Sequence, residues 1–560
     1  MLSRFALSLV LAGACLAQDA VRMDQLVQSY VDRKFMGTAL VARGNQVLFS
    51  KGYGFADLEW DIPNAPSTKF RLGSVTKQFT AASILLLEER GKLNVNDPVK
   101  KYMPDAPAAW DKMTLFHVLT HTAGIPNFTG FPDYEKLSPF PATPAELVAR
   151  FRDKPLDFQP GEKWNYSNSG FVLLGYLIEK ISGETYEKFV QENIFTPLGM
   201  KDSGYDSNSA IIRRRASGYA LAQGAYVNDG FIHMSIPHAA GALYSTTEDL
   251  LKWEQGLFGG KLLKPASLEK MTTPFKNNYA FGLGVETVGG HKLISHGGGI
   301  QGFNTELDYY PEDKLTVVVL ENVRGAVPPA EIARKLGSLA HGENLTLQNE
   351  RKPITLDAQA LARYQGAYEM APGVAMLIRL DGDQLTSRLP GQGSIPIFPQ
   401  SDTMFFLKVV DAQIEFPKEA GKPSQLTLHQ NGRDRVARRM DEAEFEKLAA
   451  TAASDAKRFK DQTPAPGSEA ALRKMIEDIL DGKPDYDRMS SGLAQATRQQ
   501  LSGLQSSFQA LGKMQSIHFK AVGPGGADIF TVQFEKGGLE YRIWLAADGK
   551  VESANVHPVQ

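Results

Sequence analysis

Three short stretches of the 560-residue chain carry side chains that together suit acyl transfer. In Ser74-Val75-Thr76-Lys77 a hydroxyl and an amine stand at i and i+3, so on a helix they share a face and the amine reaches the hydroxyl. Serine is a weak nucleophile at neutral pH unless a base accepts its proton, and a lysine desolvated between packed elements has its pKa lowered toward that task. Tyr166-Ser167-Asn168 adds a phenol and a carboxamide. A phenol close to a lysine ammonium is expected to have a depressed pKa, fit to serve as base for attack and acid for the leaving group. In Ser295-His296-Gly297-Gly298-Gly299 an imidazole is followed by glycines that let a substrate backbone approach closely.

These groups are useful only if regular elements hold them. The stretch from Phe70 to Gly91 reads as a buried helix, apolar over most of its surface, with Ser74 in its first turn and a glycine closing it. The N-terminal turn adds backbone N–H groups and positive potential where an oxyanion would form. Tyr166 and Asn168 sit on a turn before a helical pattern (Phe171, Leu173, Leu174, Leu177, Ile178, Ile181) that ends at Gly183. Leu293 to Phe303 reads as an apolar strand opening into glycines.

In their order along the chain, Ser74-Val75-Thr76-Lys77, Tyr166-Ser167-Asn168 and His296-Gly297-Gly298 resemble the three signatures of the penicillin-recognising serine hydrolases. The tyrosine of the second motif points to the branch with class C β-lactamases, D-peptidases and family VIII esterases. The flanking Leu119-Thr120-His121-Thr122-Ala123-Gly124-Ile125, Pro197-Leu198-Gly199-Met200 and Ala240-Gly241-Ala242-Leu243-Tyr244-Ser245-Thr246 agree. The resemblance implies an α/β sandwich in which an antiparallel sheet is flanked by helices. It further implies that Ser74 is acylated, that Lys77 and Tyr166 share its proton, and that Asn168 positions the substrate amide. His296 and Gly298 would belong to the substrate-binding strand, and the Gly299 and Ser74 N–H groups would form the oxyanion hole. Where β-lactamases usually open the third motif with lysine, this chain has His296, largely neutral near pH 7. That departure resembles D-aminopeptidases, related D-peptidases and some esterases, and argues against efficient β-lactam hydrolysis.

Composition narrows the remaining choices. Lys and Arg number 61 against 63 Asp and Glu, a net charge of −2, so no global field exists to hold nucleic acid or an anionic membrane. Residues 1–17 read as a secretory signal peptide, with Arg4 before the apolar run Phe5 to Ala12 and small residues after it. The one cysteine, Cys15, would leave with it, so disulfides are not expected in the exported, periplasmic or secreted chain. A competing reading takes Leu11 to Cys15 as a lipoprotein box, although Leu11 sits one place too far upstream; lipidation of Cys15 is the only membrane attachment foreseen. The hydrolase domain is expected over residues 18–345, a small antiparallel β domain over 353–440, a helix and linker over 441–467, and a small α+β domain over 468–560. The second of these resembles the lipocalin-like barrel that borders the active site in some D-peptidases, which implies control of substrate size.

His117 and His121 stand one helical turn apart, a metal-ligand spacing, yet no third ligand lies nearby and a structural role beside the Thr122-Ala123-Gly124 turn is expected. No metal or cofactor is called for. Arg213-Arg214-Arg215 reads as a solvated face rather than a grip for an anion. The partner is then a peptide or small-molecule substrate. Two alternatives remain open, a carboxylesterase acting on short acyl esters and a catalytically silent peptidoglycan- or peptide-binding protein.

Overall fold

The computed structural model describes residues 19–222, 224–343, 345–430, 433–546 and 548–558. The expected leader and Cys15 lie outside the described residues. The chain forms two compact units that divide between Asn349 and Glu350.

In the first unit β1 (Gly37–Arg43) and β2 (Gln46–Tyr53) precede two long buried helices, α1 (Thr76–Glu89) and α2 (Asn168–Ser182). A hairpin of β3 (Tyr219–Ala222) and β4 (Ala225–Asn228) and the helix α3 (Thr247–Phe258) follow. The strands β5 (Gly284–Val288), β6 (His291–Ile300), β7 (Phe303–Tyr310) and β8 (Leu315–Glu321) then return, and β9 (Val323–Arg324) and α4 (Pro329–Ala340) close the unit. The six-stranded sheet runs β5-β6-β7-β8-β1-β2 with every pairing antiparallel.

β1 and β8 are central because both are apolar on both faces, and the pairing Val41↔Val317 lines up their β-branched residues. Strand alternation sends Leu40, Val318 and Leu320 into the core beneath α1 and α2, and Ala39, Val41, Val317 and Val319 into a second core under α4 and the helix over residues 19–31. Helices thus cover both faces of the sheet. α1 lies in the larger core with every residue from Thr76 to Leu87 buried, which is why its sequence is apolar all round.

The second unit opens with a closed barrel of eight antiparallel strands in sequence order, from β10 (Gly366–Ala371) to β17 (Arg433–Arg439). Tyr364, Tyr368, Phe405 and Phe416 fill its interior with the aliphatic side chains of the alternating strands. Helices α5 (Glu442–Asp461), α6 (Ser468–Leu480) and α7 (Ser491–Leu511) lead to a four-stranded antiparallel sheet. Arg388 of the barrel pairs with Asp455 of α5 at 2.5 Å, and Arg458 of α5 pairs with Asp528 of that sheet. Both segments lie within the second compact unit. Among the described residues no helix is long and apolar enough to cross a membrane.

Candidate active site

The site is built where α1 begins against β6. A 3₁₀ turn, Gly73–Val75, leads directly into α1, so Ser74 sits half-exposed just ahead of the helix and Lys77 is in its first turn, fully buried. The Lys77 ammonium nitrogen lies 2.9 Å from Ser74 Oγ, 2.9 Å from Asn168 Oδ1 and 2.8 Å from the Ala240 carbonyl oxygen. None of these partners is anionic, and burial holds Lys77 well below the ordinary lysine range. Lys77 donates to Asn168 Oδ1 and the Ala240 carbonyl, and in its neutral form it can accept from the serine hydroxyl.

Tyr166 stands behind Ser74 with its ring 4.9 Å from Lys77 Nζ. Its phenol is raised above the ordinary range by burial, and a hydrogen bond with Ser74 pulls only part of the way back. This corrects the expected depression. Burial dominates at the phenol, so Tyr166 is a proton donor at rest rather than a phenolate.

Asn168 is the first residue of α2, where its carbonyl oxygen faces Lys77 and its Nδ2 donates to Thr129 at 3.3 Å. The turn before it is held by His121, whose Nδ1 accepts from the Ser167 amide at 3.2 Å and whose ring lies tilted 4.3 Å from that of Tyr166. His117 instead closes a capping box with Thr114, so the two imidazoles serve different elements. Among the described residues no group of three potential ligands could hold a metal ion.

In the third motif β6 runs through Gly297, Gly298 and Gly299 to Ile300. A Cβ on Gly298 would lie 2.0 Å from the Leu72 carbonyl oxygen, so the backbone that approaches closely there is the chain's own turn before Ser74. Thr305 adds to this clamp by donating to the same Leu72 carbonyl at 2.8 Å. His296 is buried, its Nδ1 donating to Gly297 O at 2.6 Å and its Nε2 accepting from the Tyr279 hydroxyl at 2.9 Å. Burial above all lowers the imidazole to about 4.

A cavity of about 260 Å³ opens over Ser74, with Asn168, Gly299, Thr129, Tyr134 and Arg324 among its walls. His296 and Gly298 do not line it. Arg214 and Arg215 are engaged instead with Asp202 and Asp206. Tyr279 and Arg324 went unread in the sequence because no motif surrounds them; the fold sets Tyr279 against His296 and Arg324 in the cavity wall.

The chain matches the Beta-lactamase family over residues 23–341 and a domain of unknown function over residues 350–447. It is 28% identical over 433 residues to penicillin-binding protein 4* of Bacillus subtilis, covering 72% of this chain and 95% of that one. Teichoic acid D-alanine hydrolase of Staphylococcus aureus is 28% identical over 318 residues, covering 54% of this chain and 74% of the relative. Among solved structures, the octameric penicillin-binding protein homologue of Pyrococcus abyssi aligns with a TM-score of 0.55 at 28% identity, covering 75% of this chain and all of that one. A D-stereospecific amidohydrolase from Streptomyces sp. aligns with a TM-score of 0.51 at 26% identity, covering 58% of this chain and 99% of that one. With the match at residues 23–341 spanning more than half of the chain, the protein belongs to the β-lactamase family of serine hydrolases.

Proposed function

We propose that the protein is an exported hydrolase that forms an acyl-enzyme on Ser74 and acts on amides or peptides of the D-amino-acid or peptidoglycan type. The observation that carries this reading is the 2.9 Å contact between Ser74 Oγ and a lysine that is fully buried without an anionic partner. Neutral Lys77 takes the hydroxyl proton as Oγ attacks the substrate carbonyl carbon, and the N–H groups of Ser74 and Gly299 receive the developing oxyanion. Tyr166 gives its proton to the leaving nitrogen as the C–N bond breaks, and the Lys77 ammonium returns a proton to Tyr166. Water then attacks the acyl ester, its proton passes through the same pair, and Oγ leaves as the serine hydroxyl. Asn168 orients both Lys77 and the substrate amide, while His296 and Gly298 seat β6 against the turn before Ser74.

The relatives support the substrate class, since they include a teichoic acid D-alanine hydrolase and a D-stereospecific amidohydrolase. A second reading, hydrolysis of short acyl esters, is favoured by the apolar walls that Phe128, Ile232 and Ile300 give the cavity. Covalent labelling by a fluorophosphonate or a penicillin, read by intact mass and mapped to Ser74, tests the acyl-enzyme. Comparing D-amino-acid amides with p-nitrophenyl esters then separates amidase from esterase. A folded protein that labels with neither reagent and turns over neither substrate would be the silent binding protein instead.

A further inference from the structure

Among the described residues lining the Ser74 cavity, Arg324 is the one charged side chain. It ends β9, whose parallel pairing with β3 sets Arg324 beside Ala220, and Asp229 follows directly after β4 of the same small sheet. Asp229 receives Arg324 in a fork, Nε to Oδ2 at 2.8 Å and Nη2 to Oδ1 at 2.8 Å. Its carboxylate also accepts the backbone N–H groups of Gly230 at 2.8 Å and Gly302 at 2.6 Å, and its side chain is only 6% exposed. It is therefore fixed in place, and Glu135 adds a further negative field at Arg324.

A guanidinium recognises a substrate carboxylate through this same fork. Of the other two groups that might answer a substrate anion, Lys77 is fully buried with its nitrogen engaged by Ser74, Asn168 and Ala240, and His296 does not line the cavity. The cavity thus offers an anion no uncompensated positive charge from these groups.

We propose that Asp229 is a specificity-determining residue: by holding the Nε/Nη2 edge of Arg324 and compensating its charge it weakens the hold on a substrate carboxylate, so Ser74 is acylated by neutral amides and esters in preference to substrates that end in a free carboxylate. The inference rests on the reading of Ser74 as the nucleophile and goes further by fixing the charge class of its substrate.

Two fluorophosphonates of equal length, one with a neutral amide tail and one with a terminal carboxylate, test it on the full chain. Ser74 Oγ forms the bond to phosphorus as fluoride leaves, and intact mass gives the rate. The wild type is expected to label at least about tenfold faster with the neutral probe. In Asp229→Asn, which keeps an acceptor oxygen for one of the two turn amides, the anionic-to-neutral ratio rises about tenfold, and in Asp229→Asn/Arg324→Gln it falls back. Arg324→Gln alone bares the Asp229 charge and lowers the ratio below that of the wild type, a result that does not depend on the Asp229 variant folding. A wild type that prefers the anionic probe, or labelling ratios that stay the same across the variants, overturns the inference while leaving Ser74 as nucleophile. Labelling by neither probe overturns the acyl-enzyme reading and this inference with it.

Discussion

A Cβ on Gly73 would lie 2.8 Å from the backbone nitrogen of Gly299, and Gly73 itself holds φ at 52°, in the left-handed region. Two separate constraints therefore select glycine immediately before Ser74, one steric and one conformational. The absence of a side chain lets the turn at the head of α1 rest directly on β6, which brings the amides of Ser74 and Gly299 to one cavity.

Gly73→Ala should therefore do more than strain a turn. The left-handed backbone costs about 1–2 kcal/mol in stability, and the methyl group must push β6 away from Ser74. Misplacement by about 1 Å costs on the order of a hundredfold in rate, so fluorophosphonate labelling of Ser74 is expected to slow by at least about tenfold. A variant with a lowered melting temperature but unaltered labelling would separate the fold from the proposed oxyanion hole and count against the latter.

Lys77→Met removes the proposed base. Labelling of Ser74 is expected to fall by about 10²–10⁴. Stability carries an independent signature, because the unfolded chain binds a proton at lysine throughout the interval between the lowered folded pKa and the ordinary value of 10.5, whereas the folded chain does not. The unfolded state then holds more protons, so the wild type gains stability relative to Lys77→Met as pH rises through that interval. Denaturant unfolding of both proteins at several pH values measures the gap, and a gap independent of pH would mean that Lys77 stays charged when buried.

Tyr166→Phe distinguishes the donor role from the base role. A phenol raised by burial is protonated at neutral pH, so its loss should be felt where the leaving group needs a proton. Turnover of an amide is expected to drop by about 10²–10⁴, and of a p-nitrophenyl ester, whose phenolate leaves unaided, by less than about tenfold. Equal losses on both substrates would restore the phenol to a role in Ser74 deprotonation.

Much of this site was legible from local pattern. Ser74 and Lys77 stand at i and i+3 where a 3₁₀ turn runs into α1, Asn168 begins a helix announced by its own apolar periodicity, and β6 is an apolar run ending in glycines. What escaped is tertiary. Whether Tyr166 is acid or base depends on whether Lys77 is charged, and that depends on burial no short window of sequence reveals. The close approach at Gly298 involves Leu72, more than two hundred residues away, so the glycine was visible but the neighbour it admits was not. Tyr279 and Asp229 sit in segments without regular spacing, and their partners His296 and Arg324 are met only through the fold.

The buried histidines predict how the protein fails in acid. His238 and His296 are each lowered by burial to about 4 from an ordinary 6.5, and burial holds His121 well below that ordinary value too. Between 6.5 and 4 the unfolded chain binds protons that the folded chain refuses, so the stability these sites contribute is present above 6.5 and is lost as pH falls through that window. Glu254, Glu306 and Glu321 oppose this, because burial raises their carboxyls and folding is favoured when they are protonated. A raw stability curve therefore mixes the two signs, and the difference between wild type and His296→Gln isolates one imidazole. The wild type is expected to lose about 2–3 kcal/mol more than the variant between pH 7 and pH 4.5, since each pKa unit is worth about 1.4 kcal/mol. Denaturant midpoints at the two pH values check it, and parallel losses in both proteins would show that His296 charges freely in the folded state.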